Sequence, residues 1–167
     1  FFEGDEALLD FTLVTATNRV VNTAGMYFQA IPGNDPNTLT MRLSAGDGRH
    51  LDFTYTLSKD DYMVKMDIKG TGLNGVLSPS TNALDINWEQ KIRQQEKGRK
   101  FEDQYAAIYY KFVADDVEYL SETKNDSKQL SNRLKWIAYK DKFFSTVLIS
   151  VDGFEATNLA SNLIPEG

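Results

Sequence analysis

Hydrophobic and polar residues alternate with a period of two along most of the first half of the chain. In five runs, apolar residues at every second position are separated by mostly polar ones. Because successive side chains of a β-strand point to opposite faces, this alternation predicts half-buried strands of antiparallel sheet. The apolar positions are Leu9, Phe11 and Leu13; Leu39, Met41 and Leu43; Leu51, Phe53, Tyr55 and Leu57; Val64, Met66 and Ile68; and Leu84, Ile86 and Trp88.

Turn-forming residues separate these runs. Residues 46–49, Gly-Asp-Gly-Arg, contain the Asp-Gly pair that is typical of tight hairpins, and residues 58–61 separate the next two runs. Residues 33–37 supply the Gly, Asn and Pro of a wider turn. Strand-like runs thus recur about every 8–15 residues, as in sandwiches and barrels. We therefore predict an all-β, antiparallel fold in a single domain over residues 1–167.

The second half is less regular. Residues 101–112 satisfy both helical spacing and period two, and we predict a short turn or helical start near 101–105 followed by a strand from about 106. Residues 143–151 form the longest apolar stretch, which is too short for the roughly 18 residues of a membrane span and predicts a buried strand. The polar residues 122–128 predict the tip of a long hairpin.

Composition excludes several classes of chemistry. The chain has no Cys and one His among 167 residues, which removes thiol catalysis, thiolate metal sites and zinc sites built from several histidines. Its net charge of −6 argues against general nucleic-acid binding, which needs a basic surface. No cofactor or metal site is predicted. The chain starts without Met and ends without a closing motif, so we expect it to be part of a longer protein.

Two motifs suggest chemistry but have simpler explanations. Residues 70–75 read G-x-G-x-x-G after a predicted strand, yet a phosphate-binding loop needs a helix directly afterwards, and Pro79 follows without helical periodicity. We predict an ordinary loop between strands. His50 lies at a strand entry on its polar side, and no G-x-S-x-G motif accompanies it. We expect an exposed or loop-packed histidine without a catalytic role.

Acidic and aromatic residues leave a carbohydrate-related function open. The acid pairs 60–61 and 115–116 lie where turns are expected, and neighbours on one strand point to opposite faces. Carboxylates distant in sequence can still meet in a cleft, and exposed aromatics of the second half can form a binding platform. A carbohydrate-binding or carbohydrate-active β-sandwich is therefore the alternative hypothesis.

Residues 91–100 are the clearest charged feature. Five cations against one anion give this segment +4, whereas the rest of the chain carries −10. Such a segment is either a solvated loop or a contact site for an acidic protein or anionic lipid surface. The candidate partner-binding residues are Lys91, Arg93, Lys97, Arg99 and Lys100.

Four runs of the second half carry a resemblance to a known family. The sequence Gln-Gln-Glu-Lys-Gly-Arg-Lys-Phe-Glu at 94–102 is followed by Ala-Ile-Tyr-Tyr-Lys-Phe at 107–112. Asp-Asp-Val-Glu-Tyr-Leu-Ser at 115–121 and Leu-Lys-Trp-Ile-Ala-Tyr-Lys-Asp-Lys-Phe-Phe at 134–144 complete the pattern. Over about residues 90–155 the chain resembles the large periplasmic domain of YidC membrane protein insertases, and would be its central and C-terminal part.

This resemblance implies both a fold and a role. The fold would be an antiparallel β-supersandwich of the galactose-mutarotase-like type, here a fragment with little helix. The parent chain would be anchored in the inner membrane, with this domain in the periplasm. The domain would be a non-catalytic interaction scaffold that assists the insertion and folding of inner-membrane proteins. Its partners would be SecD/SecF, other Sec translocon components and nascent membrane proteins, with chaperone-like contact but no nucleic acid and no small-molecule substrate.

Overall fold

The computed structural model describes residues 6–93, 95, 97–98 and 102–164. Within these residues the chain forms thirteen strands and one 3-10 helix, η1. They fall into two compact units, residues 1–89 and 90–167. The elements are β1 (Ala7–Val14), β2 (Val20–Asn22), η1 (Thr23–Gly25), β3 (Gln29–Pro32), β4 (Thr38–Ser44), β5 (His50–Leu57), β6 (Val64–Thr71), β7 (Asp85–Gln90), β8 (Ala107–Phe112), β9 (Val117–Tyr119), β10 (Asp126–Leu130), β11 (Leu134–Lys140), β12 (Ser145–Phe154) and β13 (Thr157–Ser161).

The first unit consists of two sheets. One is a meander in the order β3-β4-β5-β6, whose strands pair antiparallel, and the other has the order β2-β1-β7. The β4–β5 hairpin turns through Gly46, Asp47 and Gly48, all with positive φ. Glycine reaches this backbone region without a steric penalty, which explains the Gly-Asp-Gly turn between the two alternating runs. The predicted hairpins and wider turn of this half are confirmed.

The core of the first unit lies between its two sheets. Phe11 and Leu13 of β1 are buried against Leu51 and Phe53 of β5. The rings of Phe11 and Phe53 are 5.0 Å apart, and Phe28 meets Phe53 edge-on at 5.6 Å. Alternating strands thus bury their apolar faces against each other, as expected for a sandwich. The prediction of an all-β, antiparallel fold is confirmed.

The second unit is also built from antiparallel strands. Its larger sheet has the order β12-β11-β8-β9, and β10 pairs with β13 in a second sheet. Its fully buried side chains include Tyr110, Leu120 and Leu134, and Leu159 of β13 is buried as well. In the described chain, helical conformation is confined to η1 and a turn at residues 102–105, and no helix is long and apolar enough to span a membrane.

The helical turn and the strand that follows it agree with the sequence prediction. Residues 102–103 are helical, and the N–H groups of Tyr105 and Ala106 donate to the carbonyls of Glu102 and Asp103. β8 then begins at Ala107. Residues 101–112, which fit both helical spacing and period two, thus contain a helical turn first and a strand after it.

Two predictions for the second half are wrong. Residues 126–128, predicted in a hairpin tip, belong to β10, which pairs with the distant β13 and not with β9. Residues 143–151 do form strand from Ser145, but the strand is not buried, and Val147 and Ile149 are nearly half exposed. β12 lies at the edge of its sheet, so the apolar run has a paired strand on one side only.

A third correction concerns β1. Alternation places Leu9 inside and Asp10 in water, yet Leu9 is 42% exposed and Asp10 only 2% exposed. The Asp10 carboxylate accepts hydrogen bonds from the side-chain amides of Asn22 at 2.5 Å and Asn87 at 3.4 Å. The two amides supply hydrogen bonds to a carboxylate that would be costly to bury without partners.

Candidate functional site

The predicted basic segment lies between β7 and β8. Lys91 and Lys97 are exposed, and Arg93 is partly buried. Arg99 and Lys100 lie outside the described residues. The segment is attached to the turn that follows it, because the Gln95 N–H donates to the buried carboxylate of Glu102 at 2.6 Å. Its role in partner binding stays a prediction.

His50 belongs to an ion-pair cluster on the outer face of the first unit's meander. Arg42 donates two hydrogen bonds, both of 2.7 Å, to the Asp52 carboxylate, and this holds the pKa of Asp52 below its ordinary value. The Nε2 of His50 is 3.5 Å from Asp52, and Nδ1 is 3.1 Å from the Gly48 carbonyl. Both ring nitrogens thus face oxygen acceptors, which favours a structural role.

The remaining motifs lie in loops as predicted, except that Gly70 and Thr71 are the last residues of β6. β6 ends at Thr71, Gly72 and Gly75 have positive φ, and no helix follows before β7 in this described stretch. The acid pairs 60–61 and 115–116 both lie in connections between strands. No cluster of three or more His, Asp or Glu side chains suited to a metal ion occurs among the described residues.

A polar cluster that the sequence analysis missed joins three strands of the second unit. The buried Tyr110 hydroxyl donates to Glu118 at 2.7 Å, and the Lys128 ammonium donates to both of them at 2.7 and 3.1 Å. Burial raises the pKa of Tyr110. The hydrogen bond that Tyr110 donates lowers the pKa of Glu118, and the hydrogen bond that Lys128 donates to Tyr110 raises the pKa of Lys128. Because the tyrosine is held in its neutral form, the cluster suits structural cross-linking of strands better than proton transfer.

The first unit contains an apolar cleft, so named because eight of its ten lining residues are apolar or aromatic hydrocarbon residues. It has a volume of about 370 Å³, within the range of ligand-binding cavities. No charged side chain lines it, and its two hydroxyl groups belong to Thr23 and Tyr55. The Thr23 hydroxyl already accepts the Phe11 N–H at 2.9 Å. The lining residues are Ala7, Leu8, Leu9, Phe11, Thr23, Ala24, Met26, Phe28, Phe53 and Tyr55.

This apolar surface extends beyond the cleft along the inner face of the meander. Leu39 pairs with Tyr55, and Leu57 pairs with Val64, so all four point to the face that carries the core. Leu39, Leu57 and Val64 are nonetheless exposed, because the sheet of β1 leaves this end uncovered among the described residues. The carbohydrate-related alternative expects paired carboxylates in a cleft, and the lining of this cleft contains none.

Comparison with known proteins identifies the family. Residues 3–164 match the model of the YidC periplasmic domain. The chain belongs to this family. It is 70% identical over 166 residues to the membrane protein insertase YidC of Parabacteroides distasonis, covering 99% of this chain and 26% of the relative. It is 46% identical over 166 residues to that of Azobacteroides pseudotrichonymphae, covering 99% and 27%.

These YidC relatives are much longer than the chain, which spans about a quarter of their length. The match reaches nearly the whole chain, including the alternating strands before residue 90 that carried no specific resemblance in the sequence analysis. No solved structure matches the chain. The cleft and the polar cluster thus belong to a YidC periplasmic domain.

Sequence reasoning missed both the cleft and the polar cluster for the same reason. Leu9 and Tyr55 are ordinary members of alternating runs, and Tyr110, Glu118 and Lys128 lie in three different strands. The cleft depends on strands distant in sequence, and the polar cluster depends on the packing of β10 near the β8–β9 pair.

Proposed function

We propose that this chain is a non-catalytic interaction and scaffold domain of a YidC-type insertase. It lies in the periplasm, within a parent chain that is anchored in the inner membrane. There it assists the insertion and folding of inner-membrane proteins together with the Sec translocon. Membership in the YidC periplasmic domain family supports this proposal, as do the names of the relatives, which are membrane protein insertases.

The uncharged cleft of the first unit is the observation that carries the proposal. Nascent membrane proteins expose long apolar segments, and contact with water makes these segments prone to aggregate. A cleft lined by Leu, Phe and Met side chains buries such groups without leaving a charge unpaired. The exposed side chains of Leu39, Leu57 and Val64 add apolar contact area beside the cleft. Chaperone-like contact with an apolar segment therefore fits this surface.

Photo-crosslinking in the intact insertase tests this role. A photoreactive amino acid replaces Leu9, which lines the cleft, or Val20, which is 65% exposed on β2 outside it. A ribosome-stalled inner-membrane protein of known sequence serves as the client. We expect crosslinks from position 9 to exceed those from position 20 several-fold, and to disappear when the client's apolar segment is replaced by a polar one.

Equal crosslinking from the two positions would contradict the proposed contact. So would equal crosslinking from position 9 to the apolar and the polar client. Both variants change an exposed apolar side chain, so loss of folding affects them alike and is detected independently by circular dichroism.

A further inference from the structure

One end of the meander in the first unit carries a cluster of exposed apolar side chains. β5 ends at Leu57 and β6 begins at Val64, and these two residues pair with each other. β4 begins at the same end of the sheet. Together, Leu39, Leu57, Tyr62, Met63 and Val64 form the apolar tip, and all five are exposed.

The connection between β5 and β6 is a defined turn that directs Tyr62 outward. Asp60 has a φ of 60°, and the Asp61 N–H donates to the Ser58 carbonyl at 3.4 Å. The Asp61 carboxylate accepts the Met63 N–H at 3.0 Å. Tyr62 lies within this turn and is 101% exposed. The turn therefore presents a tyrosine ring to the solvent, next to a methionine side chain that is more than half exposed.

The form of the apolar tip favours a lipid surface over a folded protein as its partner. A folded partner holds an exposed anchor residue in a pocket of matching shape. The interface of a bilayer accepts a projecting apolar side chain without such a pocket. Tyrosine suits this position, because its ring is apolar and its hydroxyl stays at the level of the polar headgroups.

Charge around the apolar tip points to contact by apolar burial. Residues 57–65 read Leu-Ser-Lys-Asp-Asp-Tyr-Met-Val-Lys, so two lysines and two aspartates cancel. A segment without net charge gains little from anionic headgroups and is compatible with zwitterionic ones. This distinguishes the apolar tip from residues 91–100, whose charge of +4 would favour anionic lipid.

We propose that the apolar tip inserts into the headgroup interface of the membrane that anchors the parent chain. The inference rests on the proposed function, which places this domain next to that membrane. A few side chains bind a bilayer weakly when the protein is free in solution. Anchoring of the parent chain keeps the bilayer at a high effective concentration, so a weak contact is sufficient.

Insertion of the apolar tip would bring the apolar cleft to the membrane surface. Tyr55 lines the cleft, pairs with Leu39 and is two positions from Leu57 on the same strand. All three side chains therefore lie on one face of the meander. An apolar client segment that leaves the cleft on this side then has a continuous apolar path to the lipid.

Quenching by nitroxide-labelled lipid in the intact insertase tests the proposal. The insertase is reconstituted into phosphatidylcholine vesicles whose lipids carry the nitroxide near the headgroup, and a fluorescent amino acid replaces Tyr62 or Tyr27. Tyr27 is the matched control, because it is also a tyrosine and is 98% exposed. It precedes β3, whose Gln29 pairs with Arg42 and whose Pro32 pairs with Leu39, so it lies toward the opposite end of the meander.

We expect at least about threefold more quenching at position 62 than at position 27, at low and at physiological salt alike. Equal quenching at the two positions would overturn the proposal. Quenching at position 62 that appears only after anionic phosphatidylglycerol is added would also overturn it, because charge and not apolar burial would then cause the contact.

A second variant tests whether the apolar tip itself makes the contact. The fluorescent amino acid is placed at Asn34, in the β3–β4 turn, which the hydrogen bond from the Leu57 N–H to the Asn37 carbonyl joins to the end of β5. Tyr62→Ser/Met63→Ser should lower quenching at position 34 about threefold, whereas Tyr27→Ser should leave it unchanged. Circular dichroism verifies that each variant is folded. Unchanged quenching in the double variant would refute the role of the apolar tip.

The two proposals can fail separately, because quenching is measured without a client. Crosslinks from position 9 to the client, without quenching at position 62, would overturn the membrane contact and leave the client-binding role in place. Quenching at position 62 without crosslinks from position 9 would support the membrane contact and reject the client-binding role.

Discussion

Asp10 is a charged residue that the first unit buries between three segments of chain. Asp10 is only 2% exposed. Its carboxylate accepts hydrogen bonds from the side-chain amides of Asn22 and Asn87, which are 12 and 77 residues away in sequence. One side chain thus connects β1 with the end of β2 and with β7. The neighbouring Leu9 lines the apolar cleft.

Removal of this carboxylate should destabilise the first unit. Asp10→Ala leaves two amide groups without their acceptor, and we expect the free energy of unfolding to fall by about 1–3 kcal/mol in urea titrations. Asp85→Ala, an exposed aspartate on β7, serves as the control and should change stability by less than about 0.5 kcal/mol. Equal effects of the two substitutions would show that the Asp10 hydrogen bonds contribute nothing specific.

At the scale of strands, the second unit is held together by a polar cluster as well as by apolar packing. Tyr110 on β8, Glu118 on β9 and Lys128 on β10 form a closed set of hydrogen bonds, and the lysine also lies 5.3 Å from the tyrosine ring centre. Because β10 pairs with β13 and not with β8 or β9, this cluster joins the two sheets of the unit.

The Glu118 interactions predict a specific dependence of stability on pH. The pKa of Glu118 is lower in the folded state than its ordinary value of 4.5, mainly through the Tyr110 hydrogen bond and then through Lys128. Its stabilising contribution is therefore complete above pH 4.5 and is lost as the pH falls through the lowered, folded value. We expect wild type to be more stable than Glu118→Gln at pH 7, and this difference to shrink toward zero in acid.

Urea titrations from pH 7 down to pH 3 measure this difference. The Asp52 and Asp126 carboxyls, whose pKa values are also lowered, are present in both proteins and cancel. Glu155→Gln, which removes an exposed ion pair with Arg133, is the control and should change stability little at any pH. A Glu118→Gln difference that stays constant with pH would refute the assignment.

At the scale of the whole molecule, charge is unevenly distributed. Residues 91–100 carry +4 on a chain whose remainder carries −10, and Lys91 and Lys97 of this segment are exposed. Electrostatic contact with an acidic partner accelerates association and weakens with salt, because mobile ions screen exposed charges. We predict that contact of this segment with an acidic partner, for which SecD and SecF are the candidates implied by the family resemblance, is recognised by its salt dependence.

Titration of the chain against the purified periplasmic regions of SecD and SecF checks this prediction. The double variant Lys91→Glu/Lys97→Glu should raise the dissociation constant about tenfold at low salt and less at physiological salt. Lys65→Glu/Lys69→Glu makes the same change in charge on the exposed edge strand β6. Equal weakening by both double variants would attribute the effect to net charge alone and reject the basic segment as the contact.

The sequence alone was sufficient for the fold class, for the family and for five of the seven strands described in the first half, since β2 and β3 were not predicted. Alternation of apolar and polar residues is a local property, and each strand's periodicity could be read without knowledge of its neighbours. The short turn before β8 and the loop character of residues 70–75 followed from local rules in the same way.

Tertiary structure decided what each face of each strand contacts. Alternation could not show that Asp10 is buried, that Val147 and Ile149 lie exposed at a sheet edge, or that β10 pairs with β13. These outcomes depend on which strands become neighbours, and the pairing of distant strands is fixed by the energy of the whole sheet and not by any local pattern. The apolar cleft and the open edge of β12 arise at that level. The sheet of β1 leaves one end of the meander's inner face uncovered, and β12 has a paired strand on one side only.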